Sequence, residues 1–184
     1  MLRGNIELWL AFLVMILITG GYGLVIILTR EVPPASELFG HGLGIIGFIF
    51  MLMTETLYSL RKRSRSVKWG RMSAWLQFHI FTGLVGPYMV LLHTSWKFNG
   101  IAGVTTLFTV VIVVSGFIGR YIFTRIPRTL DGLEMQGTLS QDALKQARRL
   151  LALWHTIHIP IGMVLFISAF VHIGAALYYA TFLK

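Results

Sequence analysis

Five stretches of about 20 residues or more run through this chain almost without charge, and each is long enough to cross a hydrocarbon layer as a helix. They extend from Ile6 to Leu28, Leu38 to Leu60, Ala74 to Ser95, Ile101 to Phe123 and Ala152 to Phe182. A helix satisfies every backbone N–H and C=O internally, which lipid demands because it offers no partners. The chain is 55% hydrophobic and 12% charged, so little is left over to clothe a soluble domain. The sequence therefore predicts an all-α membrane protein of five transmembrane helices, with residues 1–184 forming a single domain. The first span is read as a helix and not as a leader, because Glu7 stands where a basic residue would precede a signal sequence.

A net charge of +9 raises nucleic acid as a partner, and the positions of the charges remove it. All but Arg30, Lys97 and Lys184 of the 16 lysines and arginines lie before the first span, between spans two and three, or from Arg120 to Arg149. Those segments alternate with the poorly charged ones, which predicts an amino terminus in the cytoplasm and a carboxyl terminus outside. The run from Arg61 to Arg71 reads as a topology anchor that also suits anionic headgroups. A multi-pass protein of a bacterial cytoplasmic membrane is the expected setting.

There is no cysteine, which excludes iron–sulfur clusters, thiolate zinc and covalently attached haem; any metal must be held by histidine. Of the six histidines, His79 and His93 fall in span three and His158 and His172 in span five. Both intervals are fourteen residues, which on a helix rise about 21 Å and close to within about 40° of four full turns. Each helix thus offers two imidazoles on one face near opposite membrane surfaces. Spans three and five run in the same direction, so His79 is expected level with His158 on the cytoplasmic side and His93 with His172 on the outer side. Each pair can grip an iron from both flanks, as two bis-histidine haems b about 20 Å apart.

Small residues extend the pattern. Gly83 and Gly86 follow His79 on the stripe toward His93, and Gly162 follows His158, where absent side chains would admit a flat macrocycle. Gly40, Gly44, Gly47, Gly116 and Gly119 read instead as ordinary close-packing positions. Pro87 and Pro160 should bend spans three and five, and Met89 and Met163 read as gap fillers.

The two His-x13-His helices resemble those of the di-haem cytochrome b family, in which a four-helix membrane bundle carries such a pair on each of two helices. The resemblance covers spans two to five; His79, His93, His158 and His172 match the family's axial ligands, and span one would be an addition. It implies a haem-binding four-helix bundle that transfers electrons across the membrane. Two features depart from the quinol-oxidising bc complexes: the charge bias inverts the order of the pairs, and no Pro-Glu-Trp-Tyr segment occurs. The closing stretch around His158 and His172 looks like the haem helix of small cytochrome b subunits that partner flavin, iron–sulfur or multihaem proteins.

His155, one turn before His158, can replace it as ligand, bond a propionate or line a quinone pocket; His41 lies on the opposite side. Arg71, Arg120 and Arg125 inside, and Lys97 outside, are candidate propionate partners as well as ordinary interfacial anchors. Glu55 is a candidate proton-handling group near a quinone. Between spans four and five, Pro127 and Asp131-Gly132 mark a loop, and Ser140 caps a surface segment that merges into span five. Two other classes stay open: a haem-free carrier or channel using the histidines, and a membrane scaffold that docks an extrinsic partner.

Overall fold

The computed structural model describes residues 5–63, 70–126 and 141–182. Residues 64–69 and 127–140 lie outside the described set, and with them most of the run from Arg61 to Arg71 and the expected Pro127, Asp131-Gly132 and Ser140. Within it stand five helices: α1 (Ile6–Thr29), α2 (Leu38–Arg63), α3 (Met72–His93), α4 (Gly100–Thr124) and α5 (Gln141–Phe182). All five are long and apolar enough to span a membrane, and the described residues contain no strand. The protein is an all-α, multi-pass integral membrane protein. Large apolar side chains cover its outward surfaces, such as Leu17, Leu28 and Ile167, as expected when the surrounding solvent is acyl chain.

The boundaries agree with the charge-free runs to within a few residues except in α5. There the surface segment and the span form one continuous helix of 42 residues, about 63 Å long by helical rise. Its leading turns carry Asp142, Lys145, Arg148 and Arg149, which explains why hydropathy alone starts the span later. Pro87 and Pro160 are both accommodated inside unbroken helices.

Where one domain was expected, contacts divide the described residues into two compact units: α1 to α3 with the chain to Trp96, and α4 with α5 from Lys97 onward. In the first unit α3 packs on both α1 and α2. Ala11 and Tyr22 of α1, Leu43 of α2, and Val85, Met89 and Leu92 of α3 form its buried core. The α2–α3 approach is close because glycine meets backbone: a methyl group at Gly86 would lie 2.9 Å from the Gly47 carbonyl oxygen, and one at Gly47 would lie 2.8 Å from that of Gly86. A turn further along, the Thr54 and Thr82 hydroxyls meet at 2.7 Å. At the other end of α3, the Ser95 hydroxyl donates to the Pro33 carbonyl at 2.5 Å and ties down the α1–α2 connection.

In the second unit, α4 and α5 pack through Thr105, Thr109, Ser115 and Gly119 against Trp154, Gly162, Leu165 and Ala169. Gly119 lies under the indole of Trp154, a contact that leaves no room for a side chain. Gly116, expected as a packing position, meets nothing within 4 Å.

Candidate functional site

A histidine becomes a metal ligand through one ring nitrogen, and the partner of the other nitrogen fixes both tautomer and ring plane. In α3 both partners are backbone carbonyls of α2. His79 Nδ1 lies 2.9 Å from the Thr54 oxygen, and His93 Nδ1 lies 2.8 Å from the Gly40 oxygen. A carbonyl can only accept, so the hydrogen of each neutral ring sits on Nδ1 and the lone pair on Nε2. Both rings are half-buried. The His79 ring also packs on Tyr58, centroids 4.9 Å apart.

The seat of His93 depends on a missing side chain. A methyl group at Gly44 would stand 2.8 Å from both Cγ and Nδ1 of that ring, so only glycine lets the imidazole lie against α2. Gly83 and Gly86, expected to leave room for a macrocycle, both turn toward α2: a methyl group at Gly83 would meet the Thr54 side chain at 3.3 Å. In this unit they serve helix packing.

In α5, His158 Nδ1 lies 2.9 Å from the Ser115 hydroxyl of α4. The Trp154 indole stacks on the same imidazole at 4.4 Å and 29°, while its N–H donates to the Ser115 carbonyl at 2.7 Å. His155 Nδ1 donates instead to the Leu151 carbonyl of its own helix at 2.9 Å, and its ring meets Trp154 edge-on. His172 is half-buried further along α5. A methyl group at Gly162 would face Ile112 of α4 at an ordinary 3.9 Å.

The remaining candidates are dispersed. His41 is exposed at the edge of the His93 ring, centroids 6.2 Å apart and nearly perpendicular. Glu55 is exposed on α2, beside the Thr54 that holds His79. Arg71 is exposed at the start of α3, Arg120 is half-buried in α4, and Arg125 lies over the Tyr121 ring at 4.6 Å. Lys97 is exposed. Met89 fills the first core as expected, whereas Met163 is exposed.

Among the described residues no three or more His, Cys, Asp or Glu side chains gather as a metal-binding group. What is organised is a set of single imidazoles, of which His79, His93, His155 and His158 are held through Nδ1. His79 and His93 belong to the first unit and His158 and His172 to the second, so each expected pair takes one ring from each unit. Of the residues that hold the rings, Thr54, Ser115 and Trp154 were not singled out by sequence, and Gly40 and Gly44 were read as close-packing positions only. Trp154 carries a readable signal, standing one helical turn before His158; the carbonyls carry none. No protein-family model matches the chain, and neither the curated proteins nor the solved structures contain a match to it.

Proposed function

We propose that the chain is a di-haem b-type cytochrome subunit that carries electrons across the membrane between a redox partner protein and a quinone or another carrier. His79 and His158 would hold one haem toward the cytoplasm, and His93 and His172 the other toward the outside. The observation that carries this reading is the common tether. His79, His93 and His158 each commit Nδ1 to the helix packed beside them, and in His79 and His93 this puts the lone pair on Nε2. That is the state an axial ligand needs. A histidine serving only as a packing residue has no need to present the same nitrogen in each case.

Bound between such rings, haem supplies one-electron chemistry at a potential tuned by its ligands and their hydrogen bonds. The chain's own residues hold the imidazoles in plane, exclude water with the apolar faces of α2 to α5, and place positive charge at the cytoplasmic ends. Arg71, Arg120 and Arg125 are the propionate partners this reading assigns inside, and His41, His155 and Glu55 the groups nearest a quinone. A flavin, iron–sulfur or multihaem protein would complete the complex in a bacterial cytoplasmic membrane, with the amino terminus inside.

The test is a dithionite-reduced minus oxidised spectrum of the purified chain, followed by pyridine haemochrome counts on single variants. A b-type spectrum is expected, with about one haem equivalent lost from each of His79→Ala, His93→Ala, His158→Ala and His172→Ala. His155→Ala should keep both. A haem-replete preparation without a b-type spectrum would reject the proposal.

A further inference from the structure

His158 differs from its α3 counterparts in what receives its Nδ1. His79 and His93 face carbonyls, which can only accept, whereas His158 faces a hydroxyl, which can accept or donate. A donating Ser115 would leave the imidazole hydrogen on Nε2 and make the ring incompetent as a ligand. Trp154 shares that oxygen. Its N–H is donor only, and it lies 3.2 Å from Ser115 Oγ as well as 2.7 Å from the Ser115 carbonyl. Accepting from the indole N–H occupies one Oγ lone pair and leaves the hydroxyl hydrogen and the second lone pair to face His158. On the reading of His158 as a ligand through Nε2, its hydrogen sits on Nδ1 and this second lone pair of the buried Ser115 accepts it. The indole also stacks on the imidazole face at 4.4 Å, and Gly119 lets it approach α4 closely enough to do so.

We infer that Ser115 and Trp154 are positioning residues that hold the ring plane of His158 and partner its Nδ1, and so set the redox potential of its site independently of the other. This rests on the reading of His158 as an axial ligand. The physical link is ligand basicity: an imidazole whose Nδ1–H is accepted by a partner donates more electron density through Nε2. Because the acceptor is a side chain, it can be removed without breaking the helix.

The test uses the full chain in detergent or nanodiscs, with haem content, a potentiometric titration of the b-type absorbance and low-temperature electron paramagnetic resonance. Ser115→Ala should keep two haems, shift one midpoint and one set of g values, and leave the other component unmoved. Ser115→Thr should restore the original midpoint. Trp154→Phe, which keeps a stacking ring but removes the N–H, should displace the same component and leave the other unmoved. A normal spectrum with both midpoints unmoved in Ser115→Ala and Trp154→Phe overturns the inference while leaving the haem reading intact. Equal displacement or equal loss of both components also overturns it, since that marks a general structural role. Absence of any b-type spectrum in the unsubstituted chain removes both claims together.

Discussion

At the scale of single residues, glycine acts here by position, and neighbouring glycines separate cleanly. Gly44 lies beneath the His93 ring, while Gly42 on the same helix meets nothing within 4 Å. Gly44→Ala should therefore force the imidazole off its carbonyl partner, costing about 1–3 kcal/mol as an overpacking change and, on the proposed function, lowering occupancy of the haem assigned to His93. Gly42→Ala should be neutral or slightly stabilising, since it removes a glycine from a helix. Thermal melts and haem counts on the two variants make the comparison. The histidines were legible in the sequence because fourteen residues nearly close four turns, and that is a property of spacing alone. Their partners were not, since a carbonyl belongs to every residue and Ser115 looks like any serine at a helix contact.

At the scale of elements, α3 and α5 carry the imidazoles while α2 and α4 hold them. Gly86→Leu should separate α2 from α3 at the Gly47 contact and destabilise the first unit by about 1–3 kcal/mol. Because α2 carries the acceptors for both His79 and His93, the proposed function predicts haem loss at both sites and not at one. The Thr54–Thr82 contact is expected to contribute less. A double-mutant cycle with Thr54→Val and Thr82→Val should return a coupling of about 0.5–1 kcal/mol, the usual size for hydroxyl pairs between membrane helices. Helix ends were legible where charge marks them, as at Arg30 and Arg125. Hydropathy alone missed the start of α5, because Lys145, Arg148 and Arg149 lower it without interrupting a good helix-forming sequence, whereas the segment expected from Ser140 onward does run into the span.

At the scale of the whole molecule, the absence of cysteine makes topology directly measurable, because a single introduced thiol reports without background. Lys145→Cys should react with a membrane-impermeant reagent only from the cytoplasmic side, and Lys97→Cys only from the outside. Reversal of the two would overturn the proposed orientation. The membrane character of the fold was readable from apolar run length, but its division into an α1–α3 unit and an α4–α5 unit was not, since nothing in five similar runs says which will pack together. The contrast between carbonyl and hydroxyl acceptors has a consequence for how such a chain can diverge. A substitution at Thr54 leaves the peptide oxygen in place, whereas one codon change at Ser115 deletes its acceptor. On the proposed haem reading, heritable variation would thus reach the partner of His158 directly through α4, while that of His79 is carried by a backbone that a change at Thr54 does not delete.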